Sequence, residues 1–194
     1  MLKLRYPQIF EMKIGKGGYN ISKIKLAKLP EVIAISGVKN SGKTTLLIKI
    51  IPLLKALGLK VAVIKHDGHD FVPDVPGTDS FRLRAAGAKA AAIYSPYRFL
   101  LTVEKIGPTL EEFLPFLSGF DLVLLEGGKN SPYPKIEIVR QAISSEILSH
   151  PNTLLALCTD ADLIRPDLTV LRLDDYESLA HLIYNYLRQL KLPC

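Results

Sequence analysis

Residues 37 to 44 read Gly37-Val38-Lys39-Asn40-Ser41-Gly42-Lys43-Thr44, a full match to G-x-x-x-x-G-K-[ST]. That spacing suits the wrapping of a phosphate chain by backbone N–H groups where a helix begins. Glycine permits the close approach, the motif lysine (Lys43) bridges β- and γ-phosphates, and the motif hydroxyl (Thr44) ligates magnesium. Gly37, Lys39, Asn40, Ser41, Gly42, Lys43, Thr44 and Thr45 are the expected contacts to a nucleotide. Lys39 stands third in the motif rather than second, so the signature lysine of the deviant loops in partitioning ATPases is not matched. A glycine-rich turn that opens a helix by chance is the bland alternative, and the apolar run before the loop and the helical pattern after it argue against that.

Three further segments carry groups able to act on a bound nucleotide. Asp121-Leu122-Val123-Leu124-Leu125-Glu126-Gly127 is an apolar run with a carboxylate at its C-terminal end, where ligands of a parallel sheet collect. Glu126 is expected to hold magnesium through a water or to orient a nucleophile, and Asp121 to be structural. Lys65-His66-Asp67-Gly68-His69-Asp70 follows another apolar run, but its one-to-three spacing on a loop is not diagnostic of zinc. Solvated or phosphate-proximal loop groups are one reading and a metal site built on His66 and His69 is another, with Asp67 a candidate for an outer magnesium contact. Guanine is commonly selected by a carboxylate that accepts from its N1–H and N2–H₂ on a loop after a late strand. Thr159-Asp160-Ala161-Asp162 stands in such a place and resembles [NT]-K-x-D with Asp160 in the lysine position. Either Asp160 or Asp162 could read the base, and Asp162 could equally cap the following turn.

These groups need a scaffold, and from Glu31 onward strand and helix patterns alternate. Strands are expected at 32–35, 61–64, 90–94, 99–103, 121–125, 136–139, 153–157 and 169–173. A buried helix is expected from Leu46 to Leu57, kinked at Pro52 and stopped by Gly58. Shorter helices follow at 79–86, with Asp79 as N-cap and Gly87 as stop, and at 110–117. The chain closes on an amphipathic helix, Leu179 to Leu190, preceded by the capping pattern Asp174-x-x-Glu177. The fold class is α/β, with residues 31–194 as a P-loop NTPase-like three-layer domain on a largely parallel sheet and residues 1–30 as a basic β-hairpin extension.

That extension is where the charge lies. Of the 194 residues, 25 are basic and 19 acidic, yet residues 1–30 hold seven basic side chains against Glu11 alone, leaving the rest of the chain neutral. Leu2 and Leu4 alternate with Lys3 and Arg5, Gly15-Lys16-Gly17-Gly18 signals a turn, and Ile24 and Leu26 alternate with Lys23 and Lys25. Edge lysines discourage strand-to-strand aggregation, and a basic surface also attracts an anionic partner. Nucleic acid is not the expected partner, because only Tyr6, Phe10 and Tyr19 could interleave with the basic residues. The longest stretch free of Asp, Glu, Lys and Arg is 147–159, thirteen residues, where a membrane span needs about 18. With no legible secretory signal, the chain is expected in the cytoplasm. Cys158 and Cys194 have no metal-ligand spacing and are expected as free thiols.

With these pieces placed, the sequence resembles the molybdopterin-guanine dinucleotide biosynthesis adapter protein family, MobB. The resemblance runs from about Glu31 to the C-terminus and rests on four segments: Gly37 to Thr45, Val63 to Phe71, Pro76 to Arg82 with Ala86-Gly87-Ala88 behind it, and Leu124 to Gly127. It implies a dimeric P-loop protein that binds GTP with Mg²⁺, hydrolyses it weakly, and assists the molybdenum cofactor guanylyltransferase that joins GMP to molybdopterin. By the same likeness Lys65, His66, Asp79, Ser80 and Arg82 line a phosphate and partner-facing groove, with Glu126 near the metal. Arg82 is then the candidate for transition-state charge beside Lys43 and Glu126. Two features depart from the family pattern: Gly128 stands where an aromatic usually follows Glu-Gly, and the basic arm lies outside the common core. Two other classes are weighed beside the adapter. A P-loop kinase acting on a small-molecule or nucleic-acid hydroxyl would use the arm to bind its acceptor, and a metallochaperone GTPase would use His66 and His69.

Overall fold

A strand buried on both faces reads as an unbroken apolar run, and three such runs, at 32–35, 122–125 and 154–158, lie in one sheet of the computed structural model. The described residues are 28–163 and 165–191, together with the short strands Ile14–Gly15 (β1) and Gly18–Tyr19 (β2). β1 and β2 pair antiparallel, Ile14 with Tyr19 and Gly15 with Gly18; the strands expected around Leu2–Leu4 and Ile24–Leu26 lie outside the described residues. The chain divides into two units, one of residues 1–66 with 113–194 and one of residues 67–112.

The first unit contains a six-stranded sheet. Its members are Glu31–Ser36 (β3), Val61–Lys65 (β4), Leu122–Glu126 (β7), Lys135–Val139 (β8), Leu154–Thr159 (β9) and Thr169–Arg172 (β10). They lie in the order β10-β9-β8-β3-β7-β4, every neighbouring pair parallel. Parallel neighbours require crossovers, so every strand delivers its C-terminal end to the same edge of the sheet. Period-two alternation sorts the side chains. Ile33, Ile35, Leu122, Leu124, Ile136, Ile138, Ala156 and Cys158 join one core with the two long helices Lys43–Ala56 (α1) and Tyr176–Lys191 (α3). Val32, Ala34, Val123, Leu125 and Leu157 alternate with them and are buried as well.

Helix α1 presents Leu46, Leu47, Ile50 and Leu54 to this core, and α3 presents Leu179, Ala180, Ile183 and Leu187. Pro52 lies inside α1, which continues to Ala56; the proline and Ile48, whose carbonyl it leaves free, are both exposed, so water can satisfy that group. The helix closes in a Schellman arrangement, with Gly58 N donating to Lys55 O at 2.9 Å and Leu59 N to Leu54 O at 3.2 Å. Ahead of α3 it is Asp175, not Asp174, whose Oδ1 accepts from Ser178 N (3.2 Å), while Asp174 faces Arg172 at 3.5 Å. The cap moves one residue because the helix starts at Tyr176. No helix among the described residues is long and apolar enough to cross a membrane.

The second unit holds Asp79–Ala85 (α2) and the antiparallel strands Ala90–Tyr94 (β5) and Phe99–Val103 (β6). The N-cap of α2 is the extended Thr78, which places Asp79 in the first turn, where a carboxylate also favours the helix dipole. Arg84 ties this unit together, donating from Nε to Asp74 (3.0 Å) and from NH1 to Glu104 (2.7 Å). The helix expected over 110–117 is instead two 3₁₀ turns, Leu110–Glu112 and Leu114–Leu117. Pro115 has no N–H to continue an α-helical ladder through that span.

Cys158 is 1 % exposed, and burial, reinforced by the negative charge of Asp175, pushes its thiol up to about 12. An unfolded thiol titrates near 8.5, so this group leaves stability unchanged below that pH and lowers it progressively as pH rises toward 12. In a Cys194→Ser background the native protein is expected to resist a thiol reagent at pH 8 and to react at once when unfolded. Fast labelling of the native state would contradict the burial. Cys194 itself lies outside the described residues.

Candidate nucleotide site

The loop after β3 sits where the parallel order splits, with β7 on one side and β8 on the other. Its backbone demands glycine at Gly37, whose φ is +136° and where a Cβ would stand 2.6 Å from Ile138 O and 2.8 Å from Ser41 Oγ. Asn40 takes φ 64°, and Gly42 is the left-handed N-cap residue from which α1 departs. Lys43 folds back over the loop, its Nζ donating to Val38 O at 2.7 Å and Gly37 O at 3.1 Å. Partial burial lowers the affinity of this amine for its proton; the carboxylate of Glu126 counteracts that and the charge of Lys65 adds to it. Ser41 is fully buried, and its hydroxyl has no hydrogen-bond partner among the described residues.

Beside the loop, Thr44 Oγ1 donates to Glu126 Oε1 at 2.8 Å. Glu126 is the last residue of β7, its backbone oxygen accepts from His66 N at 3.0 Å, and Gly127 N donates to Ile35 O at 2.9 Å. Lys65 ends β4 in register with Glu126. Lys43, Thr44, Lys65, His66 and Glu126 are thereby gathered at one edge of the sheet. Thr44 and Glu126 offer the hard oxygen donors that suit Mg²⁺, and the glycine-lined loop offers the cradle a phosphate chain needs. The residues present fit a magnesium nucleotide. Gly128, the departure from the family pattern, has φ +65°, and a Cβ there would lie 2.6 Å from Leu125 Cδ2, so the local backbone favours glycine.

The two candidate base readers are distinct in the structure. Asp160 Oδ1 accepts from Gln141 N at 2.7 Å, which uses this carboxylate to hold the loop after β8. Asp162 is exposed two residues further on, and Thr159 Oγ1 accepts from Ala161 N at 3.0 Å to shape the turn between them. Asp67, Asp79, Ser80 and Arg82 belong to the second unit. There Asp67 Oδ1 accepts from His69 N (3.2 Å) and Asp70 Oδ1 from Phe71 N (2.9 Å), both local turn bonds. Arg82 faces Asp79 at 3.7 Å with its side chain 75 % exposed, and Ser80 Oγ lies 3.3 Å from Thr78 Oγ1. Among the described residues no group of three or more His, Cys, Asp or Glu is placed to hold a metal ion.

Strand β8 holds what the sequence reading missed. Lys135 and Glu137 are 1 % and 0 % exposed. Lys135 Nζ donates to the carbonyls of Ser131 and Tyr133 and to Thr153 Oγ1, while Glu137 accepts from Leu148 N (2.6 Å) and Ser149 N (2.7 Å). Ser149 Oγ in turn meets Ser36 Oγ at 2.8 Å, directly before the phosphate loop. Burial lowers the Lys135 amine below the ordinary lysine value, and Glu137 counteracts that. Charged residues alternating with apolar ones read as a solvated strand face, which hides a buried network of this kind. The position of Arg140, directly after the C-terminal end of β8, is the one cue that could have drawn attention to it.

The fold and this loop define a P-loop NTPase-like α/β protein. Residues 32–160 match the family model for molybdopterin guanine dinucleotide synthesis protein B, MobB. The chain belongs to that family. It is 35% identical over 159 residues to the molybdopterin-guanine dinucleotide biosynthesis adapter protein of Haemophilus influenzae, covering 80% of this chain and 89% of the relative. Against the protein of the same name from Escherichia coli K12 the identity is 35% over 167 residues, covering 81% and 94%. Its structure is similar to the crystal structure of Bacillus subtilis MobB, with TM-score 0.67 and 27% identity over 80% of this chain and 96% of that one. A crystal structure of molybdopterin-guanine biosynthesis protein B gives TM-score 0.61 and 26% identity over 81% and 99%.

Proposed function

We propose that this protein is a GTP-binding adapter of molybdopterin guanine dinucleotide biosynthesis, assisting the guanylyltransferase that joins GMP to molybdopterin and hydrolysing GTP weakly with Mg²⁺. The observation that carries the reading is the joined arrangement of an intact phosphate loop, the Lys43 amine folded over it, and the 2.8 Å bond between Thr44 and Glu126. Lys43 would exchange the carbonyls of Gly37 and Val38 for phosphate oxygens, and Lys65 adds positive charge at the same edge. Thr44 and Glu126 would hold the magnesium, which when bound neutralises charge on the phosphates. Asp162 is the carboxylate assigned to guanine, since Asp160 already holds Gln141. Weak hydrolysis is part of this reading, with Lys43 and Glu126 the groups of the first unit placed to act on the phosphates.

A homodimer belongs to this reading. The β5–β6 hairpin leaves Tyr94, Phe99 and Leu101 exposed on one face, a row of apolar side chains that a second copy would cover.

The test has two arms. The wild-type protein with Mg·GTP is expected to form a complex with the guanylyltransferase, and no labelled phosphoryl group is expected on a hydroxyl acceptor. Labelled acceptor without complex formation would replace the adapter by a kinase. Asp162→Ala is expected to weaken GTP about tenfold, the loss of one charged hydrogen-bonding group, while leaving ATP affinity unchanged. Unchanged GTP affinity would remove Asp162 from base selection.

A further inference from the structure

We infer that Arg140 is a second cation of the nucleotide site, its guanidinium donating to the phosphate chain from the β8 side of the loop. This rests on the nucleotide reading above and adds a residue to it. Arg140 directly follows β8, the strand beside β3 opposite β7, and β8 already touches the loop through Ile138 O against Gly37. One terminal nitrogen of Arg140 lies 3.5 Å from where a Cβ on Gly42 would stand, which sets the guanidinium against the start of α1. Its Nε is buried with no hydrogen-bond partner. Arg82, Arg84, Arg165 and Arg172 each face a carboxylate; Arg140 has no such ion pair among the described residues.

An arginine keeps its charge at any ordinary pH, so burying its Nε without an acceptor is unfavourable until an anion is supplied. The planar fork of N–H donors matches phosphate oxygens. The backbone around it is tied down on its C-terminal side: Arg140 O accepts from Ile143 N (2.8 Å) and Ser144 N (2.9 Å), and Gln141 N is held by Asp160 at 2.7 Å. Asp160, read from the sequence as a base contact, would then act as a positioning residue for this arginine.

The experiment is calorimetric titration of wild type, Arg140→Ala, Arg140→Gln and Arg140→Lys with Mg·GTP and with inorganic tripolyphosphate, beside thermal unfolding without ligand. Both ligands are expected to bind about tenfold more weakly to Arg140→Ala and Arg140→Gln, with Arg140→Lys between these and wild type and melting temperatures unchanged. Should Arg140→Ala fail to fold, Arg140→Gln, which is shorter but keeps an uncharged N–H donor near the Nε position, decides. Unchanged affinity, or a loss for GTP with none for tripolyphosphate, would overturn the assignment. Wild type that binds neither ligand would overturn it together with the nucleotide reading.

Discussion

Lys43→Ala is expected to weaken Mg·GTP binding by roughly a hundredfold, about 3 kcal/mol, while the ligand-free protein melts within about 4 °C of wild type. Two contributions point the same way. Among the described residues the amine is the only basic group hydrogen-bonded to the loop, at 2.7 and 3.1 Å from the Val38 and Gly37 oxygens, and a charged donor there cannot be replaced by water without loss. In the ligand-free state its partial burial works against those two bonds, so its removal is expected to cost little stability. Titration calorimetry with a parallel thermal melt separates the two. A variant that binds normally would show that the loop does not engage phosphate through Lys43.

The second large effect is on the fold of the loop. Gly37→Ala places a Cβ 2.6 Å from a backbone oxygen of β8, and the residue would also have to hold φ +136°. Overpacking and left-handed strain together are expected to cost about 3 kcal/mol or more, a fall in Tm of roughly 6–12 °C, with nucleotide binding lost in parallel. Gly119→Ala is the control. A Cβ there meets nothing within 4 Å and φ lies outside the left-handed region, so its Tm should stay near wild type. Equal melting of the two variants would mean that the loop can move away from β8 at little cost.

How far the sequence could be read follows from where each signal resides. The phosphate loop is a local signal, with glycine positions, lysine and hydroxyl contiguous, and the apolar runs that became β3, β7 and β9 declare two-faced burial directly, whereas the equally apolar β4 lies at the sheet edge and stays partly exposed. Glu126 was legible because it ends such a run. Boundaries slipped where one residue's chemistry outweighed the pattern: Pro115 broke an expected helix into 3₁₀ turns, and Asp175 took the cap expected of Asp174 because Tyr176 opened α3. The Lys135–Glu137 network and the setting of Arg140 were not legible, since Leu148, Ser149 and Thr153 in the first case and the loop at Gly42 in the second are brought near by the fold rather than by sequence neighbourhood. The difference between Asp160 and Asp162 is of the same kind. It depends on Gln141 N, 19 residues away in the chain.

The most direct test of the account is titration of the wild-type protein with GTP and with ATP, each with Mg²⁺, in one calorimeter. GTP is expected to bind saturably at one site per chain and ATP at least about tenfold more weakly, the discrimination that one carboxylate to the guanine edge can supply. Equal affinities, or a preference for ATP, would contradict the assignment of the loop after β9 to guanine and with it the GTP-dependent adapter.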